Sequence, residues 1–213
     1  MKQLQDREQA GQLLAERLAK YANRDDVLIL ALPRGGVPIA HEIAKRLQAP
    51  MDTFVVRKLG VPGFEELAMG AIATGGSEYI DENIVRSFEI SREVIDEVVQ
   101  AERAEMARRD RAYRGARGAI DVRGRVVILV DDGIATGSSI RVAIAALRRL
   151  GPARVIVAAG VAPASTAKML AAEADEFVAL LTPENFRAVG QFYESFPQLT
   201  DDDVRTVMDL DSR

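Results

Sequence analysis

The chain has no cysteine, so it can build neither a disulfide framework nor a thiolate metal site, which fits a reducing compartment. It has one histidine, His41, so imidazole clusters are excluded as metal centres. His41 falls within an expected helix and reads as a packing or surface residue. The first ten residues, MKQLQDREQA, lack the apolar core of a signal peptide, and no apolar run reaches the length of a membrane span. A soluble cytoplasmic protein is therefore expected. A strong charge bias is missing as well: the formal net charge of −4 gives no global reason to expect nucleic acid. There is no internal repeat or low-complexity linker. With 213 residues, 48% of them apolar, the chain can bury one substantial core, and a single domain over 1–213 is expected.

Short apolar runs alternate with amphipathic stretches along this length. Leu4, Leu13, Leu14 and Leu18 recur at near-helical spacing and predict a helix over 5–22. A strand over 27–32 leads through Pro33, Arg34, Gly35 and Gly36 into a helix opened by Val37 and Pro38, since proline suits a first helical turn. A strand over 53–56 ends in Arg57 and Lys58. Segments 68–74 and 78–80 predict a hairpin about Gly75 and Gly76. A long helix over 91–111 and a glycine-containing segment over 113–124 come next. Strands over 126–130, 155–161 and 177–181 then alternate with helices over 139–150 and 164–172, and the Asp-rich tail from 197 predicts a short capped helix. This order predicts an α/β fold, a twisted and mainly parallel sheet flanked by helices.

The chemistry concentrates in residues 126–139, VVILVDDGIATGSS. The β-branched run suits a strand covered on both faces, and Asp131 and Asp132 emerge at its carboxyl end, where open α/β sheets place ligands. Ala135, Thr136, Gly137, Ser138 and Ser139 lead into a helix whose free N–H groups and positive dipole end favour a phosphate. A P-loop would need Gly-Lys-Ser or Gly-Lys-Thr, and a dinucleotide fingerprint three spaced glycines; neither is present. The acidic pair and the phosphate cup imply a ligand bearing both hydroxyls and a phosphate.

This segment closely resembles the phosphoribosyl pyrophosphate (PRPP) signature of type I phosphoribosyltransferases. The resemblance implies that Asp131 and Asp132 hold the ribose 2′ and 3′ hydroxyls, directly or through water also serving Mg²⁺, while residues 135–139 wrap the 5′-phosphate. It implies that Arg34, Gly35 and Gly36 form a pyrophosphate loop with a cis bond between Pro33 and Arg34, and that Arg57 and Lys58 neutralise the same group. A lid is expected just upstream of the signature, with Arg114 and Arg117 as its catalytic arginines. The other arginines of the segment, Arg103, Arg108, Arg109 and Arg111, read as a solvated helix face. The core spans about 25–185, with a small hood from about 1–24 and 182–213.

In the resembled family the base displaces pyrophosphate at the anomeric carbon, with Mg²⁺ as cofactor, and catalysis rests on orientation and charge stabilisation. The acceptor is a nitrogenous base. Ala135 stands where 6-oxopurine enzymes carry an acid, which resembles adenine-type signatures, as does the run from Leu59 to Gly63. Phe186, Phe192 and Tyr193 are the aromatic material of the hood, available for stacking or for packing. A homodimer is common among such proteins. The alternative is a regulatory protein that senses PRPP without turnover.

Overall fold

In the computed structural model, which describes residues 3–74, 77–115 and 121–211, the β-branched run from Val126 lies at the centre of a parallel sheet. The elements are α1 (Arg7–Arg17), β1 (Val27–Ala31), α2 (Gly36–Leu47), β2 (Met51–Thr53), β3 (Val56–Val61), β4 (Phe64–Ala73) and β5 (Ser77–Ile80). They continue with α3 (Glu82–Ser87), α4 (Arg92–Arg114), β6 (Val126–Gly133), α5 (Ser138–Arg149), β7 (Arg154–Val161), α6 (Ala164–Glu173), β8 (Glu176–Leu181) and α7 (Asp201–Asp211). Strands β2, β1, β6, β7 and β8 form a parallel sheet in that order, with Val126 opposite Val27 and Arg154. The α/β class and the parallel sheet are as the sequence predicts.

Because successive strand residues point to opposite faces, the sheet buries two separate apolar layers. On one face Val27, Ile29, Val126, Ile128 and Val130 pack with Leu14 of α1 and Leu18 just after it, Ile39 and Ile43 of α2, and Val204 and Met208 of α7. On the other, Leu28, Leu30, Val127 and Leu129 pack with Ile140, Ile144 and Leu147 of α5 and with Phe54. A near-continuous apolar run is the sequence consequence of a strand covered twice.

The expected strand over 53–56 proves to be two. After β2 the chain bends at Phe54, whose N–H donates to the Ala31 carbonyl, and Val55, whose N–H donates to the Thr74 hydroxyl at 3.0 Å. It then enters β3, the first strand of an antiparallel sheet of order β3-β4-β5. This sheet packs against α4 through Leu59, Met69, Ile72, Ile95 and Val99. Strand β3 and helix α3 were not expected, whereas the β4–β5 pairing was; the expected turn residues Gly75 and Gly76 lie outside the described residues. Helix α1 is shorter than expected, capped by the Asp6 carboxylate on the Gln9 N–H and followed by one 3₁₀ turn at Ala19–Tyr21. The tail helix α7 carries a reciprocal capping pair, Thr200 and Asp203, each accepting from the other's backbone N–H at 3.2 and 2.8 Å. No helix among the described residues is long and apolar enough to cross a membrane.

Candidate functional site

Strand alternation separates the two acids at the end of β6. Asp131 follows Val127 and Leu129 onto the face of α5, and Asp132 follows Ile128 and Val130 onto the face of α1 and α2. Asp131 lines a cavity of about 610 Å³ together with Pro33, Arg57, Lys58, Arg109 and Ser139. Its carboxylate accepts the Asp132 N–H at 2.9 Å. Burial, and then the neighbouring Asp132 carboxylate, push the Asp131 carboxyl well above the usual carboxylate range.

Asp132 lies elsewhere. Its Oδ2 accepts from Arg7 Nε at 2.9 Å and pairs with Arg7 Nη2 at 2.8 Å, the two side chains 13% and 10% exposed. Arg7 Nη1 donates to the Pro197 carbonyl at 2.9 Å, and the guanidinium stands 3.8 Å over the Phe196 ring. The Asp132 carbonyl in turn accepts from the Tyr193 hydroxyl at 2.6 Å. A nearly buried carboxylate is thus tied to the amino-terminal helix and to the 193–197 segment.

The turn after β1 runs against the same strand end. The Pro33–Arg34 peptide is cis, as expected. The Gly36 N–H donates to the Leu32 carbonyl at 3.0 Å and opens α2. A Cβ at Gly35 would collide with the Asp132 carboxylate, and one at Gly36 with the Val130 carbonyl. Only glycine allows this backbone to lie on β6 so closely. The Arg34 guanidinium is 42% exposed and 3.8 Å from the Asp201 carboxylate, which also accepts from the Tyr113 hydroxyl at 2.7 Å. Burial, and then that hydrogen bond, push the Tyr113 phenol up to about 12.

The 135–139 loop forms a cup at the start of α5. Gly137 takes φ +81°, the Thr136 and Ser138 hydroxyls are 3.0 Å apart, and the Thr166 hydroxyl donates to the Ala135 carbonyl at 2.8 Å. The expected phosphate loop therefore adjoins the acids, and its Ser139 shares the cavity of Asp131.

The basic residues divide. Arg57 and Lys58 sit inside β3, opposite Ile72 and Ala71, and reach the cavity from the antiparallel sheet rather than from the end of a parallel strand. Arg57 Nε donates to Glu102 at 2.5 Å. The placement of Arg114 is corrected: it is the last residue of α4, 7% exposed, and forks onto Asp52 of β2 at 2.9 to 3.1 Å. Its α-helical backbone and mostly buried carboxylate partner hold it against β2. Arg117 lies outside the described residues. Arg109, assigned by spacing to a solvated face, lines the cavity and pairs with Glu105 at 2.7 Å. Hydrogen bonds from Arg108, and then from Arg109, hold Glu105 down at about 2.

The hood aromatics are used for packing. Phe192 and Tyr193 are 1% and 3% exposed, Phe186 stacks on Phe192 at 5.5 Å, and Tyr193 lies 4.9 Å from Phe196. Arg7, Glu102 and Arg109 are site residues that sequence spacing did not single out. Arg7 carries no local signal at all, because its partner lies 125 residues away.

The sequence over residues 1–195 matches the family model of the phosphoribosyl transferase domain. The chain is 43% identical over 209 residues to a Mycobacterium tuberculosis protein with the provisional name phosphoribosyl transferase, found in two strains. That match covers 98% of the chain and 47% of the relative, so the chain spans about half the length of the curated relatives it matches. The crystal structure of the TT1426 protein from Thermus thermophilus superposes with a TM-score of 0.87 at 39% identity, covering 98% of both chains. The AQ2163 protein of Aquifex aeolicus, at 10% identity and a TM-score of 0.51 over 86% of this chain and 78% of its own, shares the fold alone. With the acid pair, the 135–139 cup and the glycine turn gathered at the carboxyl ends of β1 and β6, these matches show that the chain belongs to the phosphoribosyl transferase domain family.

Proposed function

We propose that this chain transfers the 5-phosphoribosyl group of PRPP to a nitrogenous base, releasing pyrophosphate. One observation carries the proposal: a single cavity is lined by Pro33 of the turn after β1, the basic strand residues Arg57 and Lys58, Asp131, and Ser139 of the cup. These are the groups that a ribose with a phosphate at one end and a pyrophosphate at the other requires. In this reading the cup receives the 5′-phosphate, the acids meet the ribose hydroxyls, and the turn with Arg57, Lys58 and Arg109 receives the pyrophosphate.

Among the described residues no group of three or more carboxylates or imidazoles stands ready to hold a metal. Asp131, facing the cavity, fits an ion that takes most of its oxygen ligands from substrate and water, as Mg²⁺ does. Bound there, Mg²⁺ would neutralise charge on the leaving pyrophosphate. The chain's own contribution is to orient the sugar and to face the departing oxygens with fixed cations, without an enzyme nucleophile. The aromatics of the hood being packed, the acceptor is left to backbone and polar groups beside them, and a flat purine-like base in a cytoplasmic setting remains the working substrate class.

The test is release of pyrophosphate from PRPP and Mg²⁺ against a panel of purine and pyrimidine bases, with Asp131→Asn/Asp132→Asn as control. Release with one base, abolished in the control, supports transfer and names the acceptor. Binding of PRPP with no release for any base would overturn turnover in favour of a PRPP-sensing protein.

A further inference from the structure

Helix α4 turns one face to the cavity of about 610 Å³. Val98, Glu102 and Arg109 line it, and positions i, i+4 and i+11 of a helix share a face. The adjoining stripe, Ile95 and Val99, packs on the antiparallel sheet and fixes the helix beside β3. Two arginines therefore meet in the cavity, Arg57 from β3 and Arg109 from α4. Both are held in the same way. Arg57 donates from Nε to Glu102 at 2.5 Å, and Arg109 donates from Nε to Glu105 at 2.7 Å. Among the described residues, the terminal nitrogens of these two guanidinium groups make no other hydrogen bond.

Other arginines of α4 are committed differently. Arg108 gives Nε and Nη2 to Glu105 and Nη1 to Asp201, and Arg114 gives Nε and Nη2 to Asp52 and Nη1 to Asp110. Neither lines the cavity. A guanidinium anchored at Nε alone keeps its end-on fork, the pair of terminal nitrogens that matches two oxygens of one phosphate. Anchoring it beforehand also removes rotamer freedom that a ligand would otherwise have to freeze.

We propose that Glu102 and Glu105 are positioning residues that hold Arg57 and Arg109 by Nε and present their end-on forks to the pyrophosphate end of the substrate. Helix α4 is then a working wall of the site, and two acids serve a region otherwise read through its cations. The inference rests on the cavity being a PRPP site, as proposed above. An acid beside a cation can also act by charge alone, neutralising the arginine and weakening its pull on an anion. Holding and neutralising have opposite signs: removing the acid weakens anion binding in the first case and strengthens it in the second.

Calorimetry with Mg²⁺ measures inorganic pyrophosphate and ribose 5-phosphate on the wild type and on Glu102→Ala, Glu102→Gln, Glu105→Ala and Glu78→Ala. Glutamine keeps an oxygen for the Arg57 Nε–H but carries no charge, whereas alanine removes both. Glu78→Ala breaks an ion pair with Arg103 of the same helix, and neither residue lines the cavity. Circular dichroism melting confirms that each variant is folded. Losing a hydrogen bond to a charged group is worth about tenfold or more in affinity. Glu102→Ala and Glu105→Ala are each expected to weaken pyrophosphate by about that factor and to leave ribose 5-phosphate within about threefold. Glu102→Gln and Glu78→Ala are expected to stay within about threefold of wild type for both probes. Tighter pyrophosphate binding in the Glu102 variants shows neutralisation and overturns the proposal. So does unchanged affinity in either alanine variant at 102 or 105, a loss shared equally by both probes, a glutamine variant as weak as alanine, or an equal loss in Glu78→Ala. A wild type that binds neither probe overturns the PRPP reading and the inference with it; one that binds ribose 5-phosphate but not pyrophosphate overturns the inference alone. A wild type that binds pyrophosphate confines any failure to the holding role.

Discussion

A single methyl group is enough to probe the turn at Gly35. An alanine there must displace the Asp132 carboxylate, which Arg7 holds, or move the turn off β6. Gly35→Ala is expected to lower affinity for inorganic pyrophosphate and PRPP by tenfold or more, by the same reckoning as for a lost charged hydrogen bond. The comparison is Gly151→Ala, at φ +78° beside the Arg123 side chain, well away from these residues. That substitution is expected to cost about 1–2 kcal/mol in urea unfolding through its left-handed backbone, with pyrophosphate binding retained. At this scale the sequence was informative where a residue's place is local: the glycines of the turn and the 135–139 cup follow from the segments themselves, while the cis bond came from the resemblance. Arg7 was invisible because its role is made entirely by a partner 125 residues away.

Helix α4 shows how an element can change the meaning of its residues. Read along the sequence, Arg114 belongs to a glycine-hinged segment; in the fold the helix continues to Arg114 and delivers its guanidinium onto Asp52, with side chains 6% and 15% exposed. Arg109, five residues earlier, reaches the cavity instead. Arg114→Met is expected to destabilise the protein by about 3–5 kcal/mol, because it strands a mostly buried carboxylate. Arg114→Met/Asp52→Asn should recover most of that loss in urea titrations, while pyrophosphate release per folded molecule stays close to wild type. A fall in turnover without a fall in stability would return Arg114 to the chemistry. Helix α4 and the parallel strands β1, β6, β7 and β8 were legible because their apolar patterns are long. Strand β3 was not, since Arg57, Lys58 and Gly60 interrupt its alternation and only pairing with β4 defines it.

For the molecule as a whole, the two ends of the described chain are knit together. Leu4 forms a parallel bridge with Tyr193: its N–H donates to the Phe192 carbonyl at 2.8 Å, and its carbonyl accepts the Glu194 N–H at 2.8 Å. The Leu4 side chain is 4% exposed. Leu4→Ala is expected to cost about 2–5 kcal/mol in urea unfolding, the range for a buried leucine, with ligand affinity following stability rather than falling on its own. The α/β class was legible at this scale. The stitch between the ends was not, because a short bridge between distant segments has no periodicity to announce it.

That stitch also sets an order of events during synthesis. Arg7 leaves the ribosome well before its partners: Asp132 follows 125 residues later and Pro197 190 residues later. Contacts of such separation form late, after the loop between them is closed. An incomplete chain can therefore assemble β1, α2 and β6 with Asp131 in place while the segment from Phe192 to Pro197 is still missing. The turn at Gly35 gains its full backing only when the chain has emerged through Pro197, so a product truncated before that point would lack the Phe196 and Pro197 contacts that hold Arg7 against Asp132.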